Sequence, residues 1–301
     1  MAALLLCPID FSNASRAALR HALAIASQFN ARLLLLTVDD PILEAAAAAK
    51  LGDGWSRRIS ERELRLFLAE TLGPNPSPPE VQLEVVTGKP AVEILRIARE
   101  RRCLAIVMST HGRSGPAKFI FGSTAERVLR GTTVPVLVTP PNDSGAVSID
   151  ALARSGAPVL VPVDFSDASA DQVEIARAIA AVLRLPLLFA HIVEALDPPA
   201  EVDLPELTAE QLTRARVAIA TMAQAIPAST MRDAVIEVGD AAAGIARLAR
   251  DCHAGLLVIG LHGSPPLGPR MGSVTYRVLC QAPVLTLALP PGWNAWLNSP
   301  W

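Results

Sequence analysis

The chain carries one hexapeptide twice, as Cys7-Pro8-Ile9-Asp10-Phe11-Ser12 and as Val161-Pro162-Val163-Asp164-Phe165-Ser166. The two aspartates lie 154 positions apart (164 minus 10). A match at so long a period is typical of a duplicated structural unit and not of a local turn. The hexapeptide therefore predicts that the chain contains two copies of one domain.

Further segments recur in the same order as the hexapeptide. The offset falls from 154 to 151 (239 minus 88) and then to 150 (272 minus 122), as small length changes in loops would cause. The matching pairs are Gly88 with Gly239, Gly122-Ser123 with Gly272-Ser273, and Val134-Pro135-Val136-Leu137 with Ala282-Pro283-Val284-Leu285. Ordered matches at a slowly drifting offset confirm that the repeat spans most of the chain.

Each copy alternates short apolar runs with segments of helical periodicity. In the first copy the predicted strands are Leu4–Ile9, Leu33–Val38, Glu80–Val86, Cys103–Ser109 and Val134–Thr139. The predicted helices are one that follows an N-cap at Ser12, one within 42–72, Pro90–Glu100 and Gly122–Arg130. Five strands and four helices in alternation predict a Rossmann-like α/β domain with a parallel, doubly wound sheet. The second copy repeats this pattern from Pro158 to Ala288.

The repeat also predicts the domain boundaries. We expect a first domain over 1–140, a second over 157–290, and a C-terminal tail over 291–301 that contains Trp293, Trp296 and Trp301. Residues 141–156 between the domains are rich in Pro, Ser, Asp and Gly, a composition typical of a linker.

Composition narrows the class of function. The formal net charge is −2, which does not favour nucleic-acid binding, because that requires a basic face. No apolar run reaches the roughly 18 residues that span a bilayer. None of the cysteines Cys7, Cys103, Cys252 and Cys280 forms a Cys-x-x-Cys pair. We therefore expect a cytoplasmic protein with free, buried thiols and no metal site built from clustered side chains.

Candidate ligand-binding residues follow the predicted strands. In a doubly wound sheet, ligands bind beyond the carboxyl ends of the strands. Asp10 follows the first strand, and Gly122-Ser123-Thr124 opens a helix whose free amides suit a phosphate group. This pattern predicts a nucleotide site without a P-loop. A purely structural interpretation also fits, in which the glycines serve turns and Asp10 caps the turn that follows it.

At these residues the chain resembles the universal stress protein family in its two-domain form. The family's ATP-binding signature is Gly, two residues, Gly, nine residues, then Gly-Ser or Gly-Thr. Here Ser109 takes the first glycine position, Gly112 the second, and Gly122-Ser123 close the pattern. The resemblance implies an adenine-nucleotide alpha-hydrolase-like fold and ATP as the ligand, alone or with Mg²⁺. The nucleotide site it implies in the first copy comprises Pro8, Ile9, Asp10, Val38, Ser109, Gly112, Arg113, Gly122, Ser123 and Thr124.

The second copy departs from this signature. Gly260 and Gly263 fit, but only eight residues then precede Gly272-Ser273. Three of those eight residues are prolines, which remove amide donors that a phosphate could use. Asp164 and Ile192 hold the positions that match Asp10 and Val38. We therefore expect the second site to bind nucleotide more weakly than the first.

Three hypotheses for function follow. The resemblance implies a cytoplasmic ATP-binding regulatory protein that is not a dedicated catalyst and has at most slow ATPase activity. A tandem protein that binds no nucleotide and acts through an unknown protein partner is a second hypothesis, and an ATP-dependent adenylating enzyme is a third. His111 and His262 lie in equivalent loops without a nucleophile beside them, so we expect structural or ligand-edge roles.

The last strand of each copy suggests how the copies assemble. Val134–Thr139 and Ala282–Leu287 are short and apolar, and each would expose unpaired backbone groups at a sheet edge. Single-domain relatives commonly dimerise through this edge. We therefore expect the two domains to pair within one chain or between chains of a homodimer, and we expect no nucleic-acid or membrane partner.

Overall fold

A computed structural model describes residues 2–72, 78–110, 122–140, 154–194, 204–224, 226–227, 230–261 and 271–293. The chain divides into two compact units. The described part of the first ends at Pro140, and that of the second begins at Arg154. No helix in these ranges combines the length and the apolar character that crossing a membrane requires.

The first unit is a five-stranded parallel sheet with helices between its strands. The strands are β1 (Leu4–Pro8), β2 (Arg32–Asp39), β3 (Val81–Thr87), β4 (Ala105–Ser109) and β5 (Val136–Thr139). The helices are α1 (Asn13–Gln28), α2 (Pro41–Leu51), α3 (Trp55–Leu72), α4 (Pro90–Glu100) and α5 (Ser123–Gly131). Within this unit the strand order is β3-β2-β1-β4-β5, and the adjacent strands are parallel.

The second unit repeats this architecture. Its strands are β6 (Val159–Pro162), β7 (Leu187–Val193), β8 (Met231–Val238), β9 (Leu256–Gly260) and β10 (Thr286–Leu289). Its described helices are α6 (Asp167–Leu183), α7 (Leu204–Gln224), α8 (Ala241–Asp251) and α9 (Ser273–Gln281). The order β10-β9-β6-β7-β8, again with parallel neighbours, matches that of the first unit. The predicted fold class, two doubly wound α/β repeats, is confirmed.

Helix α1 shows why the local sequence folds as it does. The Ser12 hydroxyl accepts a hydrogen bond from the Ser15 amide at 3.0 Å and so caps the helix, as predicted. Ala18, Leu19 and Ala22 lie at 0% exposure on one face. The small alanines let the helix pack closely on the buried strands, whose leucines, such as Leu6, fill the core.

The structure divides the predicted helical segment 42–72 into two helices. Gly52 and Gly54 lie between α2 and α3 with φ angles of 90° and 71°. This left-handed backbone is strained for residues that carry a Cβ atom, so the glycines end one helix and allow the next to begin in a new direction.

The structure also changes the register of the last predicted strand. The Ile106 amide donates to the Pro135 carbonyl, and in the second unit the Leu257 amide donates to the Leu285 carbonyl, each at 2.9 Å. Leu285 therefore corresponds to Pro135, and the sequence match of Pro283 with Pro135 is two residues out of register. Strand β10 accordingly spans Thr286–Leu289 and not the predicted Ala282–Leu287.

Candidate functional site

The predicted site residues lie at the carboxyl edge of the first sheet. Strands β2 and β1 lie on one side of the topological switch point and β4 on the other. The ladder between β1 and β4 covers only Leu5 with Ala105 and Leu6 with Ile106. Beyond these pairs the two strands lead into separate loops, which is the position where doubly wound sheets bind ligands.

A tight turn follows β1 and holds Asp10. One carboxylate oxygen of Asp10 accepts hydrogen bonds from the Ser12 amide at 3.0 Å and from the Ser12 hydroxyl at 2.6 Å. Phe11 between them has a φ angle of 63°, a left-handed conformation that is unusual for a bulky residue. The structural interpretation of Asp10 as a turn cap therefore holds. A carboxylate has a second oxygen and further lone pairs, so this role is compatible with ligand binding.

The β1 and β2 ends are tied together beside Asp10. The Ile9 amide donates to the Leu36 carbonyl at 2.8 Å, and the Thr37 hydroxyl donates to the Ile9 carbonyl at 3.4 Å. Pro8 is the last residue of β1. Val38 is half-buried near the end of β2. Pro8, Ile9 and Val38 thus present backbone at the edge where Asp10 lies.

The loop that carries the glycine pattern is closed at its base. Ser109 is buried as the last residue of β4, and Thr110 follows it. The Gly122 amide donates to the Thr110 carbonyl at 2.8 Å, which brings the two ends of the loop together. Gly112, Arg113 and His111 lie outside the described residues, as does the whole of 111–121.

Helix α5 begins at this closure with an N-terminus suited to an anion. Its N-cap, Gly122, has no side chain to cap the first-turn amides, in contrast to Ser12 on α1. Ser123 is exposed and Thr124 half-buried in this first turn. The one acidic residue there, Glu126, pairs with Arg130 at 2.8 Å. The free amides and the helix dipole therefore favour a phosphate group at this point.

In the second unit Asp164 holds a turn of the same kind. One Asp164 oxygen accepts from the Ser166 amide at 3.0 Å and from the hydroxyls of Ser166 and Ser169, both at 2.6 Å. Phe165 has a φ angle of 60°. Burial by itself would raise the pKa of Asp164, but the hydrogen bonds from Ser166 and Ser169 outweigh it and lower the pKa below its usual value.

The second glycine pattern is held by side chains that sequence reasoning missed. The Gly260 amide donates to the Gln172 side-chain oxygen at 3.1 Å, and the Thr275 hydroxyl donates to the Gly260 carbonyl at 2.9 Å. The buried Gln172 amide also donates to the carbonyls of Pro162 and Val258, at 2.6 and 2.9 Å. Gln172 thus spans the switch point between β6 and β9.

The loop base of the second unit closes as in the first. The Gly272 amide donates to the Leu261 carbonyl at 3.1 Å, and Ser273 begins α9. Ile192 is 9% exposed and lies on β7, opposite Glu237 of β8. Gly263 and His262, with the proline-rich loop 262–270, lie outside the described residues.

His191 is a further site residue that the sequence analysis did not identify. Its Nδ1 lies 2.7 Å from the Val163 carbonyl, and its ring lies 4.4 Å from that of Phe165. Because a carbonyl only accepts hydrogen bonds, Nδ1 carries the proton in this contact. The imidazole therefore occupies the position that the Thr37 hydroxyl holds in the first unit.

The repeat itself contained the signal for these residues. At the offset of 154, Gln172 corresponds to Ala18 and His191 to Thr37, and at 150 Thr275 corresponds to Ala125. In each pair the first copy has the smaller or less polar residue, and the second copy has a larger polar one. The switch point of the second unit is therefore satisfied by its own side chains, whereas alanines hold two of those positions in the first.

The four cysteines differ in their burial. Cys7, Cys103 and Cys280 are buried, whereas Cys252 is half-exposed, contrary to the expectation that all four are buried. Burial raises the pKa of the Cys7 thiol far above its usual range and that of Cys103 to about 12. Within the described residues no three His, Cys, Asp or Glu side chains form a group that could hold a metal ion.

Comparisons with known proteins agree with this fold. The sequence profile of the universal stress protein family matches residues 1–140 and 157–290. A universal stress protein of Methanocaldococcus jannaschii is 32% identical over 137 residues, which cover 44% of this chain and 78% of that protein. A universal stress protein of Mycolicibacterium smegmatis is 32% identical over 136 residues, 44% of either chain.

Solved structures match the chain over nearly its whole length. A functionally unknown protein from Pseudomonas aeruginosa superposes with a TM-score of 0.64 at 19% identity, covering 96% of this chain and 93% of that one. A universal stress protein from Archaeoglobus fulgidus gives 0.61 at 20% identity, with 96% and 98% covered. At these identities the likeness concerns the fold alone. The two profile matches, together with this likeness of fold, show that the chain belongs to the universal stress protein family, in its tandem form.

Proposed function

We propose that this protein is a cytoplasmic ATP-binding regulatory protein and not a dedicated catalyst. The observation that carries the proposal is the loop closure at Thr110 and Gly122, directly before the uncapped start of α5. It lies at the switch point, where Asp10 follows β1 and Val38 lies near the end of β2. Phosphates would meet the amides of Gly122, Ser123 and Thr124, and Asp10 would accept a ribose hydroxyl.

We further propose that the second site is the weaker one. Gln172 and Thr275 hold Gly260 through its amide and its carbonyl, so a ligand gains less by approaching that backbone. The Gly260 amide has one proton to donate, so it must lose its bond to Gln172 before it can bind a ligand. The shortened, proline-containing loop 264–271 supports the same ranking on sequence grounds.

Matched glycine substitutions test the first site. Gly122 has a φ angle of −61°, which residues with a side chain adopt freely, so Gly122→Val tests ligand approach without backbone strain from φ. We expect Gly122→Val to abolish ATP binding measured by calorimetry. Gly272→Val at the equivalent position of α9 is the control, and it should leave the main binding event intact.

The nucleotide content of the purified protein distinguishes the three functional hypotheses. ATP released by heat, with turnover at most slow, supports the regulatory role. Rapid product formation with a small-molecule acceptor would support an adenylating enzyme instead. A protein that carries no nucleotide and binds none in calorimetry would leave the tandem without its proposed ligand and point to a role through a protein partner.

A further inference from the structure

The two units differ in charge at one pair of equivalent positions. In the second unit Asp240 directly precedes α8, and Arg277 of α9 donates two hydrogen bonds to its carboxylate, at 2.7 and 2.8 Å. The first unit has Lys89 at the position of Asp240 (240 minus 89 is 151) and Arg127 at that of Arg277 (277 minus 127 is 150). An ion pair in the second unit is therefore replaced by two cations in the first.

The ion pair of the second unit leaves little charge for a ligand. The Asp240 carboxylate also accepts from the Ala243 amide at 2.8 Å and so caps α8. Hydrogen bonds from Arg277 lower the pKa of Asp240 below its usual value, so both side chains are ionised at neutral pH. Their opposite charges cancel, and an anion gains little by approaching this part of the second unit.

The two cations of the first unit lie at the matching place. Helices α4 and α5 pack against each other as α8 and α9 do, with Lys89 directly before α4 and Arg127 on α5. Both residues are exposed, and neither side chain has a hydrogen-bond or ion-pair partner within the described ranges. Arg127 follows Ser123 by four residues, so the two share one face of α5. Side chains on a helix lean toward its N-terminus, which directs Arg127 toward the candidate phosphate position.

The acidic residues on α4 and α5 that lie closest in sequence do not neutralise these cations. Glu93 pairs with Arg96 at 2.7 Å, and Glu126 pairs with Arg130 at 2.8 Å. The loop 111–121, which leads into α5, contains no acidic residue in its sequence. The first unit therefore carries an excess of positive charge here, and an anion would relieve the repulsion between the two cations.

We propose that Lys89 and Arg127 make the first site selective for nucleoside di- and triphosphates over monophosphates. The inference rests on the function proposed above, in which the amides at the start of α5 meet phosphate groups. Those amides can serve a single phosphate. The two cations beyond them would attract the further phosphates of a longer chain, since ammonium and guanidinium groups form charge-assisted hydrogen bonds with phosphate oxygens. The second unit lacks this selectivity because Asp240 occupies its arginine.

Calorimetric titration of the full chain with ATP and with AMP tests this selectivity. Lys89→Asp copies the second unit and gives Arg127 a partner. We expect it to raise the dissociation constant of ATP about tenfold and that of AMP less than about twofold. Arg127→Gln should act in the same direction. Added NaCl should weaken ATP binding more steeply in the wild type than in Lys89→Asp, because salt screens the cations that this variant removes or pairs.

Two control variants separate selectivity from the net charge of the chain. Arg99→Glu reverses an exposed charge at the other end of α4 and should leave the affinity for both nucleotides unchanged. Arg277→Gln breaks the ion pair of the second unit and should leave the main ATP binding event unchanged. Urea titration followed by circular dichroism checks the fold, and Lys89→Asp should be as stable as the wild type because it gains the pair with Arg127.

The outcomes distinguish this inference from the proposed function. If Lys89→Asp binds ATP as the wild type does, or weakens ATP and AMP equally, the selectivity is overturned while ATP binding at the first site stands. A wild-type chain that binds neither nucleotide overturns both.

Discussion

At the scale of single residues, two phenylalanines hold a strained backbone beside the candidate sites. Phe11 and Phe165 have φ angles of 63° and 60°, in a region that costs a bulky residue about 1–2 kcal/mol. The hydrogen bonds from each serine to the preceding aspartate offset this cost. The Phe11 ring also meets the Phe67 ring at right angles, 5.6 Å away. Such strain concentrates at functional sites, and the two hydrogen bonds from Ser12 hold the Asp10 carboxylate in this turn.

The two aspartates give a residue-scale prediction about ATP stoichiometry. Asp10→Asn keeps an oxygen that can accept from Ser12 but removes the negative charge and weakens the acceptor for a ribose hydroxyl. We expect this change to reduce ATP affinity about tenfold or more, since a hydrogen bond to a charged group contributes roughly 1.5–3 kcal/mol. Asp164→Asn is the matched control and should leave the main binding event unchanged. Calorimetric titration measures both, and equal losses in the two variants would contradict the ranking of the sites.

At the scale of elements, Gln172 on α6 joins a helix to two strands. Its side chain is 6% exposed and makes three hydrogen bonds, to the Pro162 carbonyl, the Val258 carbonyl and the Gly260 amide. The ladder between β6 and β9 covers only two residue pairs, and beyond it Gln172 makes hydrogen bonds to the carboxyl ends of both strands. The first unit has Ala18 at the same position, and alanine carries no polar group that could form this bridge.

Gln172→Leu tests this bridge. Leucine has a similar volume but leaves the Gly260 amide and two carbonyls without their partner, so we expect a loss of roughly 2–4 kcal/mol in unfolding free energy. Thr275→Val, which removes a single bond to the Gly260 carbonyl, should cost about 1 kcal/mol. Urea titration followed by circular dichroism measures the free energy of unfolding of both variants, and a separate transition is fitted for each unit. If neither substitution lowered the free energy of unfolding measurably, the Gln172 bridge would not stabilise the second unit.

At the scale of the whole molecule, the sequence predicts that the two domains pair through their last strands, which are β5 and β10. Within its own unit each is an outer strand, and both are short and apolar. A flexible coil as long as the linker that the sequence predicts would span roughly 20–25 Å, which is enough for pairing within one chain. Pairing of these edges would satisfy backbone groups that otherwise favour aggregation.

Expression of residues 1–142 alone tests this association. Without its second domain the fragment should form a homodimer in light scattering, because β5 has lost its expected partner. The full chain under the same conditions is the control, since its second domain can supply the partner that the fragment lacks. A fragment that stays a soluble monomer at high micromolar concentration would count against the edge association.

The sequence by itself determined the features that depend on local order. Periodicity and the repeat predicted all five strands of the first unit and the limits of α4. This was possible because the buried positions of a strand alternate and those of a helix recur at i and i+4, so residues close together in the sequence show the pattern. The same reasoning located the turn after β1 and the glycine before α5. It assigned the chain to its family because the signature residues lie at fixed spacing along the chain.

The tertiary structure decided what depends on distant residues. Gln172 meets Gly260 across 88 positions, and no local pattern shows that a polar side chain there will span a switch point. The hydrogen bonds between β10 and β9 set the register of β10. This register differs from the one that the Pro-Val match in the sequence predicted. The exposure of α2, none of whose residues is buried, is likewise decided by the packing of the unit and not by a local pattern. Local propensity determines which helices and strands form. Which residues of these elements contact one another, and which stay exposed to solvent, depends on the burial and the hydrogen bonding of the whole unit.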